Sequence, residues 1–224
     1  MIFELPVLKY YLVDYFPLLP VADLGRFRGA INKLLNNSEV LAHNHTSTGM
    51  RYAYPLVQYG TDGVFTQIRA IGEGLRLFEQ MPDWRHFQVK LSERSVQFQM
   101  VRVREQQFSL QPVLDFKTYY LQSWLPLNQQ NVTRFRALSS PDEKVRLLQQ
   151  ILTGNILSMA KGCGMQVKGH LEVFVEEIYQ QQTVKYKQVP FESFSLKFKT
   201  NMLLPDQLGL GKGVSNGFGT IRIL

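Results

Sequence analysis

Twice along this chain the spacing of apolar residues changes from the two-residue beat of a strand to the three- and four-residue step of a helix, then back. That doubled order limits the folds open to it. In the first half, residues 8–16 read as a strand. Residues 21–35 follow as a helix whose Leu24, Phe27, Ile31 and Leu34 share one face. Asp23 or the residues before it cap its start, and Asn36–Asn37 ends it. Extended segments around 50–59 and 64–71 come next, then a short helical stretch at 73–80. Within 87–103 an alternating strand points Val96, Phe98 and Met100 one way and Ser95, Gln97 and Gln99 the other.

A second half begins near residue 109. Residues 116–127 read as a strand, and Ser140-Pro141-Asp142-Glu143 is a capping box with proline at the first helical position. The helix it opens carries Val145, Leu148, Leu152 and Met159 and stops at Gly162-Cys163-Gly164. Strand-like runs at 171–179, 184–189 and 193–199 lead to the glycine-rich GLGKGVSNGFG and a terminal strand, TIRIL. Each half thus runs strand, helix, strand, strand, with a later element to close the sheet, the order of a split β-α-β unit. The predicted class is α+β: two tandem ferredoxin-like (βαββαβ, RRM-like) domains, over residues 1–108 and 109–224.

Of the 224 residues 45% are apolar and 19% charged, which suits a globular chain with a real core. No run approaches the roughly 20 apolar residues that span a bilayer. The N-terminal MIFELPVLKYYLVDYFPLLP is broken by Glu4, Pro6, Lys9 and Asp14 and has no basic leader, so neither a signal peptide nor a membrane partner is expected. The single cysteine, Cys163, excludes internal disulfides and cysteine-rich zinc sites and fits a reducing cytoplasm. Lysine and arginine exceed aspartate and glutamate by 25 − 18 = 7, an imbalance that favours a polyanionic partner.

Five glycines, Gly209, Gly211, Gly213, Gly217 and Gly219, crowd the stretch around Lys212 and Phe218. A Walker loop needs serine or threonine after Gly-Lys and a helix behind it, but Gly213 follows Lys212 and the chain soon ends. A dinucleotide fingerprint needs glycine where Val214 stands. Two readings stay open: a flexible turn before the last strand, or a loop whose amides line a groove for a phosphate backbone.

Three readings also compete for the histidines in AHNHTSTGMRYAYPLVQY (42–59). A metal site would need further ligands beside His43 and His45, and His86 and His170 stand far off in sequence. An ordinary solvated loop is the plain alternative. The third is acid–base chemistry, since neighbouring imidazoles titrating near about pH 6.5 offer one base and one acid. Arg26, Arg28 and Lys33 lie just upstream, Tyr52 and Tyr54 just downstream. On RNA, such a pair activates a 2′-hydroxyl and protonates the leaving 5′-oxygen without a metal, while lysine or tyrosine stabilises the phosphorane or fixes a tautomer. DNA, lacking the 2′-hydroxyl, could not react this way.

GLGKGVSNGFG resembles the signature loop of the RAMP superfamily of CRISPR RNA-binding proteins. LGRFRGAINKLL, AHNHTSTGMRYAYPLVQYG and AIGEGLRLF are similar to the repeat-cleaving CRISPR endoribonuclease of that superfamily, in its b-type branch. The resemblance runs from about residue 24 to the end. It implies a metal-independent, cofactor-free cut in precursor CRISPR RNA that leaves a 2′,3′-cyclic phosphate (or 3′-phosphate) and a 5′-hydroxyl. It makes His45 the leading catalytic histidine and His43 its partner or substitute, with Tyr52 and Lys33 as further candidates. Lys212, Phe218, Gly209, Gly211, Gly213, Gly217 and Gly219 would contact RNA, as would Arg26 and Arg28. The partner is CRISPR repeat RNA, with a homodimer or an effector complex as further assemblies. A non-catalytic RAMP subunit that binds CRISPR RNA in an effector complex is the alternative, and a ferredoxin-like metabolic enzyme a third. Only the first needs His43 and His45.

Overall fold

The computed structural model describes residues 7–35, the backbone of 45–46 and 49–50, and residues 54–224. The chain divides into two compact units, Met1–Ser109 with Ser215–Gly217, and Leu110–Val214 with Phe218–Leu224.

The first unit runs β1 (Leu8–Phe16), α1 (Leu24–Leu34), β2 (His45–Thr46), β3 (Gly49–Met50), β4 (Val57–Thr61), β5 (Thr66–Ile71), α2 (Arg76–Gln80), β6 (His86–Leu91) and β7 (Arg94–Phe108). Its main sheet has the order β4-β5-β1-β7-β6, antiparallel at every step. Leaving β6 aside, this is the arrangement of a ferredoxin-like sheet, with the first strand central and the last beside it. Central β1 is buried along both faces: Val13 and Tyr15 on one side, and Tyr10, Leu12 and the charged Asp14 on the other. Helix α1 lays Phe27 and Ile31 into the core, and the Phe27 ring meets Phe98 at 4.7 Å and Tyr59 edge-on at 5.6 Å. Burying one such side chain contributes about 1.5–3 kcal/mol, and Phe27→Ala costs about 3–5 kcal/mol once the cavity is included.

Two details differ from the sequence expectation. The helix expected over 21–35 starts as a 3-10 turn at Val21–Asp23, and Asp23 makes no side-chain cap. Its carboxylate is instead held by Arg26 and Arg94, each at 2.6 Å. The strand expected within 87–103 is a hairpin, β6 and β7, turning at Ser92–Glu93 with Ser92 at φ 55°.

The second unit runs β8 (Pro112–Trp124), α3 (Gln129–Ala137), α4 (Pro141–Gly162), β9 (Val173–Tyr186), β10 (Val189–Met202) and β11 (Thr220–Ile223). Its sheet order, β11-β8-β10-β9, repeats the first unit's pattern. Where the first unit has α2 before its closing hairpin, this one has residues 203–219, the glycine-rich segment, with one 3-10 turn at Val214–Asn216. The runs at 171–179, 184–189 and 193–199 are two long strands joined by Lys187–Gln188, at φ 51° and 64°, a two-residue hairpin turn. Helix α4 starts at Pro141 with Ser140 in the N-cap position, although the serine side chain makes no cap bond. Asp142 and Glu143 in its first turn complement the positive end of the helix. It buries Leu148, Leu152, Ile156 and Met159, and ends where Gly164, at φ 76°, lets Met165 N–H reach Ala160 O at 2.9 Å. Among the described residues no helix is long and apolar enough to cross a membrane.

Candidate nucleic-acid interface

The glycine-rich segment is closed on itself by backbone bonds. Leu210 N–H donates to Gly219 O at 2.8 Å, Gly219 N–H donates to Ser123 O at 3.1 Å, and Gly209 bridges to Thr220. Gly219 has φ 65°, and a Cβ there would run into Leu210 O. Gly211 has φ 85°, and its Cβ would lie 2.6 Å from Trp124 Nε1 and 2.9 Å from Asn155 Oδ1, two atoms bonded to each other at 2.9 Å. A flexible turn is therefore the wrong description of these two positions: a left-handed backbone in close contact admits no other residue without strain. A Cβ at Gly213 would press on the Phe218 ring at 3.1 Å. The amides of Leu210, Phe218 and Gly219 donate within the chain, so they are not what a phosphate would meet.

Lys212 projects from this frame. It is exposed, and its Nζ sits 4.3 Å from the centroid of Phe191. Phe191 packs edge-on against Tyr186 at 5.9 Å, and Tyr186 against Phe218 at 5.4 Å. Lys187 Nζ stands 5.8 Å over the Tyr186 ring, and Lys185 is exposed beside it. Cations set among partly exposed rings can meet phosphates and unstacked bases. The hairpin end, Lys185-Tyr186-Lys187, carried a sequence signal that was passed over: two lysines around an aromatic at a turn.

Ser215–Gly217 belongs to the first unit, and there Arg28 Nη1 donates to Ser215 Oγ at 2.9 Å. A Cβ at Gly217 would come within 2.9 Å of Leu24 Cδ1. The Tyr59 hydroxyl, buried nearby, has no hydrogen-bond partner among the described residues. Burial holds its proton on well above the ordinary phenol range, with the Arg28 charge pulling the other way. Arg26 is mostly exposed and pairs with Asp23, and Lys33 lies exposed in the last turn of α1. The backbone of His45 pairs opposite Met50 in the β2–β3 ribbon. The His45 side chain, His43 and Tyr52 lie outside the described residues.

A third feature was not singled out from the sequence. Asp14, on β1, is fully buried, and its carboxylate accepts from Arg102 Nε at 2.9 Å and Arg102 Nη2 at 2.6 Å. Arg104 Nη2 adds two longer bonds at 3.3 Å, and Gln67 Nε2 one at 2.8 Å. Gln67 Oε1 in turn accepts from buried Arg69 at 2.8 Å. A Cβ at Gly60 would lie 2.5 Å from the Arg69 guanidinium, so that glycine makes the room. The signal in the sequence was Arg-x-Arg in a strand, which places two cations on one face. Among the described residues no group of three or more His, Cys, Asp or Glu is placed to hold a metal ion.

Two ferredoxin-like sheets in tandem, the second closed through a glycine-rich loop, define a two-domain protein of the RAMP type. Comparison with known families narrows this: the Cas6b N-terminal domain matches residues 6–109 and the Cas6b C-terminal domain residues 111–224. The chain belongs to the Cas6b family. An uncharacterized protein of Methanocaldococcus jannaschii is 38% identical over 105 residues, 47% of this chain and 70% of that protein. A crystal structure of Cas6b superposes with a TM-score of 0.87 at 26% identity, covering 98% of this chain and 100% of the other. A second, of CRISPR RNA processing endoribonuclease Cas6b, superposes with a TM-score of 0.74 at 25% identity over the same shares.

Proposed function

We propose that this chain, an endoribonuclease of the Cas6b family, cuts precursor CRISPR RNA within the repeat by histidine acid–base catalysis without a metal. The observation that carries the reading is the match of both Cas6b domains, residues 6–109 and 111–224, which together span nearly the whole chain. The acid–base groups belong to the domain over residues 1–108 and the glycine-rich loop to that over 109–224. His45 takes the 2′-hydroxyl proton or supplies the leaving 5′-oxygen with one, and His43 is its partner or substitute. The attacking 2′-oxygen closes on the adjacent phosphorus as the 5′-oxygen departs, leaving a 2′,3′-cyclic phosphate (or, after hydrolysis, a 3′-phosphate) and a 5′-hydroxyl. Lys33 stabilises the charge of the phosphorane, and Tyr52 orients the imidazole. Lys212 and Phe218, set on the frame of Gly209, Gly211, Gly213, Gly217 and Gly219, meet the RNA, as do Arg26 and Arg28 of α1.

Repeat RNA with deoxyribose at the single nucleotide before the cut tests this chemistry. Binding persists and cleavage stops if the 2′-hydroxyl is the nucleophile. Continued cleavage at that site would overturn the mechanism.

A further inference from the structure

We infer that Arg102 and Arg104 form a phosphate-binding fork for the RNA backbone on the sheet of the first unit, oriented from beneath by Asp14. The inference rests on the RNA-processing reading above and adds to it two arginines that reading does not use.

The strand register sets the arrangement. Asp14 on β1 lies opposite Arg102 on β7, and Leu12, two residues earlier on the same face, lies opposite Arg104. The two guanidiniums therefore rise from one face of one strand, two residues apart. The carboxylate is the floor, with none of its side chain exposed, whereas 51% of the Arg102 side chain and 35% of the Arg104 side chain remain exposed. One arginine would satisfy a buried carboxylate, and Arg102 already does so with Nε and one Nη. Arg104 reaches the same carboxylate only at 3.3 Å, and its buried Nε has no partner among the described residues.

Arg69 and Asp62 join the network through Gln67, Asp62 at 3.4 Å. Two guanidiniums held still by a desolvated anchor, each with donors left over, fit phosphate oxygens in a way that freely rotating surface lysines do not. An orienting partner fixed at the floor also lowers the entropy lost when the phosphate binds.

The test compares wild type, Arg102→Gln, Arg104→Gln and Asp14→Asn for binding of CRISPR repeat RNA across a salt series, with melting curves for each. Loss of one phosphate contact lowers the slope of log K against log salt by about 0.7–0.9, equivalent to about 5- to 8-fold in affinity at 0.1 M salt. That is the expected result for each arginine variant. Asp14→Asn removes the anion and keeps both cations, so its slope stays at or above that of wild type. Should Arg102→Gln fail to fold, Asp14→Asn/Arg102→Gln removes the buried carboxylate together with the arginine that makes its shortest bond, and gives the same reading. Unchanged slopes in folded arginine variants overturn the inference, as does an equal fall in Asp14→Asn, which would mark damage to the fold. Wild type that binds no repeat RNA overturns the proposed function itself.

Discussion

Arg28 on α1 and Ser215 in the glycine-rich segment, 187 residues apart in sequence, share a hydrogen bond of 2.9 Å. Ser215 is 9% exposed, so the guanidinium cannot be replaced at that oxygen by bulk water without cost. Gly217, two residues on, lies against Leu24 one helical turn before Arg28. The helix that leads toward the His-x-His segment therefore also seats the middle of the glycine-rich stretch.

Arg28→Ala should destabilise the protein by about 1.5–3 kcal/mol, the range for a hydrogen bond to a charged group. Arg28→Lys should recover part of the loss, because charge is kept and the planar fork is not. Urea unfolding midpoints measure both. Equal stability of all three proteins would show that the bond contributes nothing.

The glycines divide by geometry. Gly219→Ala and Gly211→Ala put a Cβ into backbone or into the Trp124–Asn155 pair at positive φ, and each should cost more than about 1 kcal/mol. Gly154, inside α4 with open space around its would-be Cβ, should gain up to about 1 kcal/mol on substitution by alanine. Thermal melting of the three variants checks the signs: a drop for the first two, a rise for the third.

Lys212→Ala should lower the salt slope of RNA binding by about 0.7–0.9, as for one phosphate contact. An unchanged slope would place Lys212 off the RNA path and leave it as a cation resting on Phe191.

Burial pushes the Cys163 thiol up to about 12, so it stays protonated and unreactive at pH 8. Reaction with a thiol reagent should be slow in the native protein and at least about tenfold faster in urea, where the thiol returns toward its ordinary range near about 8.5. Equal rates in the two states would contradict the burial.

Much of the fold was legible because burial wrote a period into the sequence. Phe27 and Ile31 on α1, and Phe98 on β7, are fully buried, and each was placed on its face by spacing alone. Helix α3 was missed because Phe135 is its only buried residue, so there is no apolar stripe to read. The turn at Ser92–Glu93 lacks the glycine or asparagine that usually marks a hairpin, which hid the break between β6 and β7. Strand β9 looked broken because Gln180–Thr183 is exposed and shows no alternation. Arg102 and Arg104 were visible as residues, but their pairing with Asp14 depends on the register between β1 and β7, which a sequence does not print. The glycines of 209–219 were visible as a cluster, whereas the reason for each lies in what its absent Cβ would strike.

The central claim is that His43 and His45 carry the chemistry, and the most direct measurement is cleavage of CRISPR repeat RNA from the same genome in EDTA. Wild type and a His43→Ala/His45→Ala variant are run side by side, with binding measured for both. The account predicts a single cut by wild type and, in the variant, binding near wild type with cleavage slowed by about 10² or more, the scale for loss of a general acid or base. Cleavage by the variant at the wild-type rate, or a wild type that needs a divalent ion, would contradict it.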